Sequence, residues 1–343
     1  MSTERAAGPA PSEFVAAVRR AVDGKTKPVG ALGRLEDVAA RIAVIQGTLS
    51  PRAETCRLMI FAGDHGMARA GVSAYPQAVT RQMVLNMLDG GAAATVFART
   101  IGARVSVVDA GVAGEPAAHR DLINRRIGPG TANAIDTDAM SPADVARALD
   151  AGDALGGAVE EDVACFGEMG IGNTASAALI AAKIMGRPVG ALVGRGTGLD
   201  DAGLARKRAL AERAAARTPD RLDAATALAA YGGFEIAMMA GAMIGAARGG
   251  RVVLVDGFIA GAAALCARET APGCEAAFVF AHRSAEAGHG AVLEALGATP
   301  LLDLGMRLGE GAGALAAFPL VKMAAAMLRE MASFESAGVS GPA

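Results

Sequence analysis

Glu310 is the acidic residue whose surroundings are best suited to chemistry. It lies in the run Arg307-Leu-Gly-Glu-Gly-Ala-Gly-Ala-Leu315. The glycines on either side of Glu310 remove side-chain bulk and let a ligand approach closely, and Leu308 supplies an apolar wall. A carboxylate in such a place can stay ionised and accept a proton in a dry cleft. The alternative is a glutamate near the start of the last helix, where the helix dipole stabilises its charge.

Two glycine-rich turns are candidates for binding a phosphate. Glu168-Met-Gly-Ile-Gly-Asn-Thr174 and Val193-Gly-Arg-Gly-Thr-Gly-Leu-Asp200 each follow an apolar run and precede a helical segment, and the second of these segments carries Lys207. Backbone N–H groups and the helix dipole bind anions at such places. An ordinary turn with Asn173 or Thr174 as the N-cap explains the first equally well. Two such turns in one sheet favour a nucleotide-sized anion site.

A third polar segment, Ala62-Gly-Asp-His-Gly66, ends the first apolar run. It suggests either an acid/base pair or a metal site, but the other three histidines lack ligand spacing, so we predict no metal and take Asp64 as a turn-former. The next loop, Gly71-Val-Ser-Ala-Tyr-Pro76, and Gln82 in the helix after it can line a pocket for an aromatic ring. A surface turn explains this loop equally well.

Six apolar runs of strand length alternate with alanine-rich segments at helical spacing. This pattern predicts an α/β fold with a doubly wound, mainly parallel, Rossmann-like sheet. Ligands bind beyond the carboxyl ends of such strands, so we expect Asp64, Asp109, Glu168, Asp256 and His282 to gather near one crevice. The predicted strands are Cys56–Asp64, Arg104–Gly111, Asp162–Glu168, Ala191–Gly194, Arg251–Gly257 and Ala277–His282.

The two ends of the chain differ from the middle. Residues 12–48 and 313–334 have helical patterns without a strand, so we predict a small helical lobe from residues 1–49 and 306–343 beside a large α/β domain of residues 50–305. Glu310 then lies at the seam. The tail at 335–343 is rich in small and turn-forming residues and is expected to fray.

Composition excludes several classes of protein. Of the 343 residues, 52% are hydrophobic and only 20% are charged, so the chain can build a large core. The net charge of −2 provides no basic face for nucleic acid. The four cysteines have no metal-type spacing and are expected to be reduced, structural thiols. The first residues lack the apolar core of a signal peptide, and no uninterrupted apolar run reaches the roughly 18 residues of a membrane span. We therefore expect a cytoplasmic protein that binds neither membrane nor nucleic acid.

The motifs together resemble the nicotinate-nucleotide–dimethylbenzimidazole phosphoribosyltransferase family over nearly the whole chain. Seven segments match in the same order: Lys27–Glu36, Ala62–Gly66, Gly71–Pro76, Val79–Met83, Glu168–Thr174, Gly194–Gly198 and Arg307–Gly311. One departure is Ala31, where the family more often has serine. The resemblance implies a homodimer, without metal or cofactor, that moves phosphoribose from nicotinate mononucleotide to 5,6-dimethylbenzimidazole.

The resemblance also implies roles for individual residues. Glu310 falls on the family's proton acceptor, and Glu168 on an active-site glutamate with a supporting role. Ser73, Tyr75 and Gln82 fall in the region that faces the benzimidazole. The remaining expected substrate-binding residues lie in the two turns and beside the acids: Met169, Gly170, Gly172, Asn173, Thr174, Gly194, Arg195, Gly196, Thr197, Gly198, Lys207 and Leu308.

Two other functions compete with this one. A pyrophosphate-dependent phosphoribosyltransferase normally has a pair of acids after an apolar strand, whereas Val253-Leu-Val-Asp-Gly-Phe258 has a single acid. A non-catalytic nucleotide-binding protein needs the phosphate turns but has no use for Glu310.

Overall fold

A six-stranded sheet, in which every pairing is parallel, forms the centre of the fold. The structure, a computed structural model, describes residues 11–115 and 117–340. The strands, in chain order, are β1 (Cys56–Gly63), β2 (Arg104–Gly111), β3 (Leu122–Asn124), β4 (Val163–Met169), β5 (Val252–Val255) and β6 (Phe278–Phe280). Their order across the sheet is β3-β2-β1-β4-β5-β6, which is the doubly wound order of the Rossmann fold. The predicted fold class is confirmed.

Helices cover both faces of this sheet. Those before β4 are α1 (Ser12–Asp23), α2 (Arg34–Gln46), α3 (Val79–Leu88), α4 (Ala93–Ile101) and α5 (Pro142–Gly157). Those after it are α6 (Asn173–Met185), α7 (Asp201–Ala215), α8 (Ala224–Tyr231), α9 (Phe234–Arg248), α10 (Phe258–Thr270), α11 (His289–Ala295), α12 (Ala312–Glu330) and α13 (Phe334–Ala337).

Alternate residues of each strand enter two separate cores. On β1, Met59 and Phe61 pack with α5, α6, α9 and α10, whereas Leu58 and Ile60 pack with α1, α2, α4 and α12. Since side chains alternate across a sheet and both faces are covered, the strands have to be apolar throughout. The continuous apolar runs of the sequence follow from this burial.

The two ends of the chain meet on one face of the sheet. Lys25 pairs with Ser333 in an antiparallel bridge, and the Lys25 ammonium donates to the Met331 carbonyl at 2.7 Å. α12 packs against α2, α4 and β4. The terminal helices therefore share a core with the sheet, and the division into a domain and a lobe at residues 49/50 and 305/306 stays a prediction.

The apolarity of α12 is explained by this packing. By length and composition alone it is able to cross a membrane, but 61% of its most apolar stretch is buried inside the protein. Its apolar residues Leu315, Phe318 and Val321 belong to the core beneath the sheet. A core helix passes the same test of length and composition.

Some local predictions were wrong. The apolar segment at 191–194 is not a strand; a 3₁₀ turn, Val189–Ala191, precedes it and packs against α7. The edge strand β3 was missed because its three residues form no long apolar run, and its pairing with β2 defines it. Part of the tail that was expected to fray forms α13, capped by Ser333. Residues 341–343 and the segment 1–10, on which the signal-peptide prediction rests, lie outside the described residues.

Helices α5 and α9 are in direct backbone contact. A Cβ atom built on Gly156 would lie 2.0 Å from the carbonyl oxygen of Ala242, and one on Gly245 would lie 2.2 Å from that of Asp153. Such distances leave no room for a methyl group. The glycines of these two helices are therefore explained by the closeness of the crossing.

We predict that Gly156→Ala destabilises the protein by about 1–3 kcal/mol because the helices have to separate. In a helix interior the same change normally stabilises by about 1 kcal/mol. The matched control is Gly157→Ala, one residue further along, where a Cβ would meet nothing closer than 4.0 Å. Urea denaturation of both variants checks this, and equal stabilities would contradict it.

Candidate active site

The site lies at the carboxyl ends of β1 and β4, where the order of the strands reverses. Their register pairs Phe61 with Glu168 and Ala62 with Met169. The chain therefore leaves β1 at Asp64 beside the turn that leads from β4 into α6. A sheet of this topology opens a crevice at this point.

The turn after β4 passes very close to the end of β1. A Cβ on Gly170 would lie 2.3 Å from the Gly63 carbonyl oxygen, so a side chain at position 170 cannot be accommodated. Gly172, at a φ of 101°, then starts α6. A Cβ on Gly172 would be in ordinary contact with His65, Ala68 and Val72, so this glycine faces the segment after β1. The backbone N–H groups that follow it, at the N-terminus of α6, are of the kind that bind anions.

Glu310 is held in a strained loop against β4. Gly309, Glu310 and Gly311 all have positive φ, at 86°, 61° and 80°, and among the described residues Glu310 is the one non-glycine residue in that region. Strain of this kind persists only where the surrounding structure enforces it, and it is concentrated at functional sites. Here a Cβ on Gly309 would lie 2.2 Å from Glu168 Oε1. The glycine before Glu310 thus lets the two glutamates approach each other.

Burial perturbs both of these acids. Burial, with further contributions from Glu235 and Asp256, raises the pKa of Glu168 to about 8, although a hydrogen bond from the Asn173 amide acts in the opposite direction. Burial also raises the pKa of Glu310, opposed by the Ala94 N–H, which is 3.5 Å from Oε2. At neutral pH Glu168 therefore holds a proton. Two neighbouring carboxyls with different environments can take different acid and base roles.

Asp256 connects this site to the last helix. Its carboxylate accepts the Ala314 N–H at 2.8 Å and caps the N-terminus of α12, while His282 Nε2 lies 3.6 Å away. Burial raises the pKa of Asp256, and the charge of His282 opposes that rise. Asp256 thereby fixes where α12 begins, two residues after Glu310.

The two predicted phosphate turns are joined by one buried lysine. Lys207 Nζ donates to Thr174 Oγ1 at 2.8 Å and to the Gly194 carbonyl at 3.1 Å. Burial lowers the pKa of Lys207 to about 8, and the nearby Glu286 carboxylate opposes that shift. Arg307 links the same region to the loop of Glu310, because its guanidinium donates to the Gly196 carbonyl at 2.9 Å. The predicted anion site and the predicted base are therefore mechanically connected.

The loop Gly71–Pro76, which was expected to face the aromatic ring, lies near the second glycine-rich turn, Val193–Asp200. Ser73 Oγ and Thr197 Oγ1 are 2.9 Å apart. Gln82 lines a cleft of ≈ 330 Å³ together with Asp64. Tyr75 is 53% exposed.

The other predicted substrate-binding residues differ in accessibility. Met169 is half-buried and Leu308 is 55% exposed. The Arg195 guanidinium donates to the Leu199 carbonyl and to Asp201, and so braces the end of its own turn against the start of α7. Gly198, at a φ of 102°, shapes the turn.

The five polar residues that were expected to share one crevice divide into smaller groups. Glu168 and Asp256 lie near enough to Glu310 for their charges to interact with it, and His282 lies 3.6 Å from Asp256. Asp64 accepts from Thr80 Oγ1 at 2.7 Å and from the Ala113 N–H at 2.8 Å, so it organises loops as proposed. Asp109 accepts the Val112 N–H in its own loop.

The roles of three acidic residues were not predicted from the sequence. Glu235 pairs with His65, Glu286 lies near Lys207, and Asp256 caps α12. Glu235 lies in an alanine-rich helix without a motif, and only its contact with His65 reveals it. The pair Gly232-Gly233 before that helix was the one available signal.

Neither metal nor disulfide chemistry is apparent in the residues that the structure describes. Within residues 11–115 and 117–340, no group of three or more His, Cys, Asp and Glu side chains could hold a metal ion. The four cysteines are free and buried, as predicted. Cys56 and Cys165 lie side by side on β1 and β4 with their sulfurs 3.3 Å apart.

Comparison with known proteins gives one consistent result. Residues 8–339 match the family model DBI_PRT, described as phosphoribosyltransferase. The nicotinate-nucleotide–dimethylbenzimidazole phosphoribosyltransferase of Dechloromonas aromatica is 54% identical, covering 94% of this chain and 95% of the relative. The enzyme of the same name from Ralstonia nicotianae is 55% identical, covering 95% and 94%.

A solved structure agrees with these relatives. The crystal structure of the enzyme of that name from Thermus thermophilus superposes with a TM-score of 0.91 at 43% identity, covering 96% of this chain and 99% of that one. Sequence and fold thus agree over nearly the whole length of the relatives. The chain belongs to the nicotinate-nucleotide–dimethylbenzimidazole phosphoribosyltransferase family.

Proposed function

We propose that this chain transfers phosphoribose from nicotinate mononucleotide to 5,6-dimethylbenzimidazole, releasing nicotinate and forming α-ribazole 5′-phosphate, with Glu310 as the general base. The family, its relatives and the solved structure support the reaction. The observation that carries the role of Glu310 is its buried carboxylate, held at positive φ beside Glu168. No part of this reaction requires a metal ion, since the leaving group departs as described next.

The chemistry assigns one proton transfer to the protein. The ribose C1′ of the donor is bonded to a pyridinium nitrogen, so the leaving ring neutralises its own charge as it departs and needs no acid. The attacking benzimidazole nitrogen becomes positive, and the proton on the other ring nitrogen becomes acidic. Glu310 accepts that proton. Attack opposite the leaving ring inverts C1′, which gives the α configuration.

The remaining residues position the substrates. Lys207, the N-terminus of α6 and the turn at 194–198 provide positive potential for the donor phosphate. Ser73, Gln82, Met169 and Leu308 are proposed to surround the benzimidazole. Holding the two rings on opposite sides of C1′ contributes several kcal/mol by effective-molarity arguments.

The first prediction concerns the base. We expect Glu310→Gln to lower kcat by about 10²- to 10⁴-fold while both substrates still bind, because the amide keeps the shape but cannot accept the proton. Nicotinate release on addition of dimethylbenzimidazole measures turnover, and calorimetry measures binding. Near-normal turnover would remove Glu310 from the mechanism.

Acid pH should lower turnover in the same way as Glu310→Gln. Burial raises the pKa of Glu310 above its ordinary 4.5, so the ionised base is lost as pH falls through that raised value. The acid limb of kcat/KM in the native enzyme should therefore lie above pH 4.5, and the residual activity of Glu310→Gln should lack it.

The second prediction concerns Lys207. Its pKa is about 8, so its positive charge is present below that pH and is lost above it. We expect the KM for nicotinate mononucleotide to rise as pH passes about 8, and Lys207→Met to raise that KM by about 10- to 100-fold at neutral pH, the equivalent of one charged hydrogen bond. The Lys207→Met variant should lose the pH dependence. An identical rise of KM in the variant would assign it to another group.

We also propose that the protein works as a homodimer in the cytoplasm. The family resemblance supports the dimer, and so do Val96 and Phe97, which leave apolar surface exposed on α4 at 37% and 40%. Light scattering should give about twice the chain mass of 34.2 kDa. A mass of one chain at micromolar concentration would contradict the dimer.

A further inference from the structure

A buried ion pair lies directly behind Glu168. His65, which follows β1, and Glu235, the second residue of α9, meet with Nε2 and Oε1 2.6 Å apart. Their side chains are 1% and 0% exposed. Burying two charges is costly unless the pair is well placed, so this pair calls for an explanation.

Two glycines make room for this ion pair. A Cβ on Gly63 would lie 2.6 Å from Glu235 Oε2, and one on Gly233 would lie 2.4 Å from the same oxygen and 2.4 Å from His65 Cε1. These glycines come from the end of β1 and from the start of α9. Two distant segments are thus both shaped around one carboxylate.

The pair lies beside the turn that carries Asn173, whose amide is bonded to Glu168. A Cβ on Gly170 would lie 3.4 Å from Glu235 Oε1 and 3.5 Å from Asn173 Nδ2, so these two groups flank the same glycine. The Asn173 amide in turn donates to Glu168 Oε2. Among the described residues, Glu235 Oε2 has no hydrogen-bond partner. The pairing of Glu235 with His65 is therefore made through Oε1 alone.

Three acids face Glu168 from three elements: Glu235 on α9, Asp256 after β5 and Glu310 before α12. Of these, Glu235 has the largest effect on the pKa of Glu168 after burial. His65 faces Glu235 and Asp64; burial alone would lower its pKa, but these carboxylates outweigh burial and raise it. His65 thus supplies the counter-charge of the Glu235 carboxylate.

We propose that His65 and Glu235 are positioning residues for the transfer reaction, a buried ion pair that packs against the turn of Gly170, holds the Asn173–Glu168 contact in place and sets a negative charge near the Glu168 carboxyl. The inference rests on the proposed function. With Glu168 neutral, Glu310 is the ionised acid of the two, and the proton of the benzimidazole has one acceptor. A neutral Glu168 also offers an O–H donor to the reacting rings, which its anion cannot.

The test is the alkaline limb of kcat, measured by nicotinate release with both substrates saturating. Because the charge of Glu235 opposes ionisation of Glu168, Glu235→Gln should move that limb about one pH unit lower. This shift lowers kcat at about pH 8 roughly fivefold relative to the native enzyme. The KM values should change less than about twofold. A limb that stays at the native pH overturns the proposal.

Three further variants separate positioning from stability. The His65→Gln variant keeps Glu235 buried without a cation, so it should unfold at a lower temperature than the native protein. The double variant His65→Gln/Glu235→Gln should recover stability and keep the alkaline limb of kcat at the lower pH. The matched control is Glu161→Gln, which breaks a partly buried ion pair with Arg57 at the opposite end of the sheet. It should lower stability without moving the limb. Should Glu235→Gln fail to fold, the double variant provides the same measurement.

A second readout does not depend on turnover. The infrared band of the protonated Glu168 carboxyl, identified by its loss in Glu168→Gln, should titrate near pH 8 in the native protein and lower in Glu235→Gln. If the native protein shows this titration but releases no nicotinate, the proposed function is contradicted, whereas the effect of the ion pair on Glu168 is still supported. A band that titrates identically in both proteins overturns the inference itself.

Discussion

The parallel pairing of β1 with β4 is the constraint on which the site depends. It brings the chain that leaves β1 at Gly63 to within van der Waals contact of the turn at Gly170. Because the order of strands reverses here, the helices after the two strands pack on different faces and the space between the turns stays open. Three groups with proposed roles are positioned from this point: Glu168 by β4, His65 by β1, and Glu310 by its loop against β4.

Crowding of acids is the electrostatic consequence of this arrangement. Glu168, Glu235, Asp256 and Glu310 are all buried. His65 lies 2.6 Å from Glu235, and the His282 imidazole lies 3.6 Å from Asp256. Like charges in a low-dielectric site cannot all be ionised. The protein meets this condition in different ways: Asp256 accepts backbone N–H groups at the start of α12, Glu235 pairs with His65, and Glu168 keeps its proton.

Glycine is the means by which these groups come close. Gly309 allows Glu310 to approach Glu168, and Gly156 allows α5 to lie against α9, which carries Glu235. A tightly packed interior transmits small changes in shape. Stability of the helix crossing and placement of the acids are thus linked through α9.

The sequence by itself determined the fold class and the main candidates for chemistry. Continuous apolar runs mark strands that are buried on both faces. The runs of β1, β2, β4, β5 and β6 are easy to recognise because burial on both faces requires apolar residues throughout the strand. Short elements carry no such signal, which is why β3 was missed and the segment at 191–194 was mistaken for a strand. The glycines around Glu310 and in the two turns are local features, so their motifs are visible in the sequence.

Only the tertiary structure decided which groups meet. The distance from Lys207 to Thr174 and Gly194, the cap that Asp256 provides for α12, and the pairing of His65 with Glu235 join residues that are distant in the chain. Apart from the pair Gly232-Gly233, the local sequence does not mark Glu235, because its role comes from neighbours that the sheet brings to it. The protonation of Glu168 is decided in the same way, since burial and neighbouring charge are properties of the folded chain.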